Sequence, residues 1–259
     1  DSGAVDISAD GRFVAFATRD LITPNVWDSG QKTNIYVKDT LTNSLTHIDL
    51  GNNNKFSSNP KISDDGRYVL FESSAELTAD DRSESSSVDS YYWETDLFLA
   101  DLNSQSTIRI NIDDDGNRFN TGGYGWSADM SADANIITFT AGGNQKIGSP
   151  DGLFDPNGGT ADVFVKHLDS GDIERISGNQ NGGIYPRISP DGDYVAYMPY
   201  VYQSAIRQEI IELSSGQRYF APGAPFTSTG AFSTENIEDF ANGAGVLWTW
   251  NSYPGDTDG

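Results

Sequence analysis

A single ten-residue phrase, written four times and then once more in worn form, governs what this chain can fold into. Ile7-Ser8-Ala9-Asp10-Gly11-Arg12-Phe13-Val14-Ala15-Phe16 returns as Ile62-Ser63-Asp64-Asp65-Gly66-Arg67-Tyr68-Val69-Leu70-Phe71. A third copy, Met130 to Phe139, replaces the glycine by Ala134, and a fourth, Ile188 to Tyr197, restores it. In the fifth, Asn242-Gly243 stands in for Asp-Gly, with Val246 and Trp248 at the apolar positions beyond it. The copies are spaced 55, 68, 58 and 51 residues apart, which suits a blade-sized unit with long loops.

Each unit reads as four strands. Asp-Gly between two short apolar runs is a strong hairpin signal, because glycine tolerates the positive φ that a tight turn demands. Alternating third strands follow at Asn34 to Asp39, Asp96 to Asp101, Asp162 to His167 and, more loosely, Gln208 to Leu213. Turns rich in Asn, Ser and Gly then lead to fourth strands at Ser44 to Leu50, Thr107 to Ile112, Asp172 to Ser177 and Gln217 to Ala221. No long segment carries a helical stripe. Repeated meanders without a helical crossover predict an all-β fold, a β-propeller of four-stranded blades with four full repeats plus a partial fifth. The blades are expected at about 4–50, 59–112, 127–177, 186–221 and, in part, 234–259 of one domain spanning 1–259. The fifth unit offers only its first two strands. The chain is therefore expected to be a fragment of a longer protein, or to have its open blade completed by a neighbouring copy.

The turn phrase with its preceding proline resembles the repeat of the TolB-like (WD40-like) β-propellers, best at Pro60 to Phe71 and Pro186 to Tyr197. The Gly-Asn turns at Gly51-Asn52, Gly116-Asn117 and Gly178-Asn179 are most similar to the secreted bacterial branch. The resemblance spans nearly the whole chain and implies a propeller fold. It implies little about activity, since such propellers serve as adhesin modules, docking platforms and companions of peptidases.

Charge narrows the partners. There are 38 acidic residues against 16 basic ones, a formal net charge of −22, which argues against binding a phosphate backbone. No apolar run is long enough for a membrane helix. The absence of cysteine removes disulfides, thiolate metal sites and cysteine nucleophiles.

Calcium is the expected ion, since closely spaced Asp, Asn and carbonyl oxygens on glycine-bent loops supply the hard ligands it prefers. The candidate ligands are Asp151, Asp155 and Asn157 in one loop, Asp113, Asp115 and Asn117 in another, and Asp256 and Asp258 near the last residue. Asp96 and Asp162, which open third strands, are within reach of those loops; the alternative is that each fastens a turn. The repeated Asp10, Asp65, Asp133 and Asp191 are expected to stabilise turns, because a unique active site does not recur in every blade. His47 and His167 lie on different strands with no nucleophile elbow, which makes triad chemistry a poor fit. Exposed aromatic residues are the expected ligand platform, above all Tyr91, Tyr92 and Trp93 after an acidic insertion, with Trp126 nearby in the repeat.

Together these features predict a non-enzymatic, calcium-stabilised binding module that presents loops to a protein or glycan. It is expected outside the cell or on its surface, with the periplasm as the other compartment. Two alternatives stand beside it: a self-assembling fibre subunit closed through the open blade, and a carbohydrate-active propeller enzyme.

Overall fold

The computed structural model describes residues 2–19, 33–48, 56–79, 95–112, 128–142, 161–177, 182–199 and 208–220. These form four antiparallel sheets of four strands, each in simple sequential order. Blade 1 holds β1 (Ser2–Ile7), β2 (Phe13–Thr18), β3 (Asn34–Asp39) and β4 (Leu45–His47). Blade 2 holds β5 (Ser57–Ile62), β6 (Tyr68–Ser73), β7 (Asp96–Asp101) and β8 (Ser106–Arg109). Blade 3 holds β9 (Ala128–Met130), β10 (Ile136–Gly142), β11 (Ala161–His167) and β12 (Ile173–Arg175). Blade 4 holds β13 (Ile184–Ile188), β14 (Tyr194–Met198), β15 (Glu209–Glu212) and β16 (Arg218–Phe220). The fifth unit, 234–259, lies outside the described residues.

The repeated phrase makes the same turn each time. Ser8 Oγ donates to Asp10 Oδ1 at 2.7 Å, Arg12 N–H donates to the same oxygen at 2.9 Å, and Phe13 N–H donates to Ser8 Oγ at 3.0 Å. Blades 2, 3 and 4 repeat the pattern around Asp65, Asp133 and Asp191. The residue after each aspartate is left-handed: φ is 71° at Gly11, 72° at Gly66, 59° at Ala134 and 81° at Gly192. The Ser8 bond holds the Asp10 carboxyl below its ordinary range, as Ser131 does for Asp133. Each recurring aspartate thus spends Oδ1 on its own turn.

Blades pack face to face, and this is where the core lies. Ile62 of β5 sits against Ala15, Ala17, Ile35 and Val37 of blade 1, while Met130 packs on Leu70, Leu97 and Leu99 of blade 2. Ile188 packs on Val163 and Val165 of blade 3. Each first strand therefore covers the blade before it. Main-chain bonds join the turns in the same direction: Ala9 N–H donates to the Asp64 carbonyl at 3.1 Å, Asp64 N–H to Ala132 at 3.0 Å and Ala132 N–H to Pro190 at 2.9 Å. Among the described residues no blade precedes blade 1, and Ile7 is 55% exposed where Ile62, Met130 and Ile188 are at most 9%.

That asymmetry yields a paired prediction. A Cβ on Gly66 would stand 2.2 Å from Cδ2 of Phe13 in the neighbouring blade, whereas one on Gly11 would meet nothing within 4 Å. Both glycines carry the same backbone strain on substitution, on the order of 1 kcal/mol. Gly66→Ala should cost roughly 1–3 kcal/mol more than Gly11→Ala, from overpacking the junction. Equal denaturation midpoints for the two variants would overturn this packing.

Candidate functional site

Because every sheet runs in the same order and the turns are bonded to one another, the two rims of the propeller differ. The short turns at Asp10, Asp65, Asp133 and Asp191 share one rim. The ends of second and fourth strands point to the other, so segments 20–32, 49–55, 80–94, 113–127, 143–160, 178–181 and 200–207 all leave from that rim. Asp113, Asp115, Asn117, Asp151, Asp155, Asn157, Tyr91, Tyr92, Trp93 and Trp126 belong to these segments and lie outside the described residues, as do Asp256 and Asp258.

Asp96 and Asp162 lie at that rim, at the starts of β7 and β11. Asp96 is 4% exposed; its Oδ1 accepts from Asn111 Nδ2 at 2.6 Å and its Oδ2 faces Arg109 Nη1 at 3.6 Å. Asn111 Oδ1 in turn accepts the Leu97 N–H at 3.0 Å. In blade 3, Asp162 Oδ1 accepts from Ser177 Oγ at 2.6 Å and Oδ2 faces Arg175 Nη1 at 3.6 Å. Ser177 Oγ accepts the Val163 N–H at 3.1 Å. In both blades the carboxylate fastens the last residues after the fourth strand to the start of the third. Among the described residues no group of three or more His, Asp or Glu side chains is disposed to hold a metal ion.

Glu72, near the same rim at the end of β6, was not foreseen. It is 7% exposed and accepts only a long 3.4 Å bond from Asn59 Nδ2. Burial pushes its carboxyl up to about 8, partly offset by Asn59. The aligned positions are Ala17, Thr140 and Met198, so a column comparison would have exposed the lone acid.

The first strands surround the axis, and the position four residues before each turn aspartate alternates in charge: Asp6, Lys61, Asp129, Arg187. The four are in matching register, opposite Ala15, Leu70, Thr138 and Ala196. Asp6 Oδ2 accepts the Ile62 N–H of the next blade at 2.8 Å, and Asp129 Oδ2 accepts the Ile188 N–H at 3.2 Å. Burial pushes Asp129 upward against the opposing pull of Arg187 and Lys61, which places both cations within electrostatic reach of it.

A cleft of about 270 Å³ between blades 2 and 3 has Tyr68, Leu99, Ile108 and Leu168 in its walls. Its carboxylates are engaged, Asp101 with Arg67 at 2.8 Å and Asp133 with its own turn. Arg67 and, in blade 1, Arg12 hold Asp101 and Asp39 well below the usual carboxylate range.

Comparison with solved structures gives the same architecture. TolB from Acinetobacter baumannii superposes with a TM-score of 0.52 at 15% identity, over 90% of this chain and 45% of that one. A puromycin hydrolase gives 0.55 at 11% identity, over 90% and 31%. An oligogalacturonate lyase in complex with manganese gives 0.50 at 14% identity, over 83% and 50%. The chain spans about half or less of the length of each. No protein-family model matches the chain, and no curated protein does. These likenesses establish a TolB-like propeller fold of four-stranded blades.

Proposed function

We propose that this chain, a TolB-like β-propeller by fold, is a non-enzymatic binding module of an exported protein, presenting one loop rim to a protein or glycan at the cell surface or in the periplasm. The observation that carries this reading is topological. The segments holding Tyr91, Tyr92, Trp93 and Trp126, and the acidic loops at 113–117 and 151–157, all depart from the rim opposite the rigid turns. Loops on a rigid scaffold are where binding residues concentrate, and aromatic rings on such loops suit a sugar face or a protein anchor. The recurring turn aspartates, by contrast, serve the scaffold. Replacing Tyr92 and Trp93 together by Ala should abolish retention on a glycan or protein array while leaving the melting temperature within a few degrees. Turnover of a polysaccharide panel, lost on mutating one carboxylate pair at the rim, would replace this reading with the enzymatic one.

Calcium belongs to the same proposal, with the acidic rim loops supplying its oxygens. Millimolar calcium should raise the melting temperature by several degrees, and a chelator should reverse the gain, since a ligand that binds only the folded state stabilises it. Identical melts in calcium and chelator would remove the ion from the account.

A further inference from the structure

The junction between blades 2 and 3 departs from its two neighbours at several residues, and they meet in one place. At the junctions on either side, a side chain of one blade lies on a turn glycine of the next. A Cβ on Gly66 would stand 2.2 Å from Phe13 Cδ2, and one on Gly192 would stand 2.8 Å from Ile136 Cδ1. Between blades 2 and 3 the left-handed position is Ala134, whose own Cβ takes the place into which Tyr68 would have to close. The cleft of about 270 Å³ lies there, walled by Tyr68, Leu99, Ile108 and Leu168, with Asp133 and Asn135 beside them. Ile108 is 49% exposed, where the flanking blades carry the polar Thr46 and Glu174; it carries the apolar wall out to the surface.

The electrostatics change at the same junction. Arg12 and Arg67 follow Asp10 and Asp65 in the first two turns and act on them electrostatically. In blade 3 that position is Asn135, and no cation among the described residues acts on Asp133. Asp133 Oδ1 accepts from the Ser131 hydroxyl at 2.6 Å and the Asn135 N–H at 3.0 Å. Both donors are neutral, so the carboxylate charge stands. The other acid in the cleft, Asp101, is answered by Arg67 at 2.8 Å.

We propose that this cleft binds a small organic ammonium ion, its apolar body against Tyr68, Leu99 and Ile108 and its charged head beside Asp133, where the repeat would have placed an arginine. The volume falls just under the range of about 300–1,000 Å³ that holds drug-sized ligands, so the ligand is a single ring or short branched chain bearing one amine. The net charge of −22 favours the approach of any cation. Asp133 is exposed, so the ion pair adds modest affinity, and Kd is expected in the millimolar range. The turn residues of the cleft belong to the rim opposite the loops, so this proposal and the loop-rim reading can fail separately.

The test uses the whole chain and follows the Ile108 δ1-methyl resonance, identified by its loss in Ile108→Val, at neutral pH and constant ionic strength so that screening stays fixed. Phenethylamine, protonated at that pH, should move the resonance saturably. Its affinity should exceed that of 2-phenylethanol, the neutral counterpart, by about two- to fivefold, which is what an exposed ion pair contributes. Phenylacetate should bind more weakly than the alcohol. Asn135→Arg restores the residue of the first two blades, whose cation answers Asp133 from within, and should remove the preference for the amine. Equal or tighter binding of the alcohol or the acid to the native chain, an amine preference that survives Asn135→Arg, or a resonance indifferent to all three probes up to their solubility limits overturns the proposal. Should Asn135→Arg not fold, the comparison of the three probes on the native chain decides alone.

Discussion

Glu72→Gln is expected to make the protein markedly more stable at pH 8.5 and no different at pH 4.5. The Glu72 carboxyl is raised by burial to about 8, far above the 4.5 of an exposed glutamate. Below pH 4.5 folded and unfolded chains both hold the proton, and the group contributes nothing to the pH dependence. Between 4.5 and 8 the unfolded chain releases a proton that the folded chain keeps, so stability falls as pH rises, until the folded carboxyl ionises too. Each pH unit in that window removes about 1.4 kcal/mol, and the whole interval reaches about 5 kcal/mol as an upper bound. For a chain of this size that corresponds to on the order of 10 °C in Tm. Glutamine keeps an oxygen for Asn59 and has no proton to lose. The depressed carboxylates Asp10, Asp39, Asp101 and Asp133 work in the opposite sense, since their stabilisation is present above pH 4 and lost below it. Melting curves of both proteins from pH 5 to 9 should therefore diverge on the alkaline side. Parallel curves would mean that Glu72 is solvated.

Asp96→Ala is the second large effect. The substitution takes the carboxylate from Arg109, whose side chain is 5% exposed, and from Asn111, which is fully buried. Breaking a buried, hydrogen-bonded ion pair from one side costs roughly 3–5 kcal/mol, again on the order of 10 °C. The measurement separates two roles for this aspartate. A loss of equal size in calcium and in chelator identifies a strand fastener. A loss that appears only with calcium identifies a metal ligand. A melt unchanged in both conditions would mean that Asn111 and Arg109 hold the third strand without it.

The fold was legible because its signals are local and repeated. The Ser-x-Asp-Gly phrase encodes its own turn through bonds within six residues, and the third strands at Asn34–Asp39 and Asp96–Asp101 fall where alternation places them. Ala134 takes the left-handed position without glycine, at a strain the surrounding serine and aspartate bonds absorb. Less was legible where partners come from different strands or blades. Asp96 and Asp162 stood out as acids, but their arginines lie 13 residues onward on the next strand, and nothing along the chain links them. In blade 4 the paired rings of the other blades, such as Phe71 and Phe98 at 5.9 Å, give way to Tyr197 donating to Glu209 at 2.6 Å, with Arg218 bound to both. That exchange becomes visible only once the register sets residues 197 and 209 opposite each other. The axial alternation was accessible in principle by reading one column of the repeat, where the fifth copy continues the series with Glu238.

The junction bonds from Ala9 to Asp64, Asp64 to Ala132 and Ala132 to Pro190 use main-chain atoms alone. Their chemistry is blind to side-chain identity at the donor, provided an N–H is present, and wholly blind at the acceptor, which is why alanine, aspartate and proline all serve. A gene that duplicates or drops one unit thus finds a ready socket at the seam, and need only match the apolar surfaces on either side. The one residue that interrupts this interchangeability is Pro190: it receives a bond yet has no N–H to hand onward. A unit set after blade 4 would therefore have to dock without this main-chain bond, on its apolar surface alone.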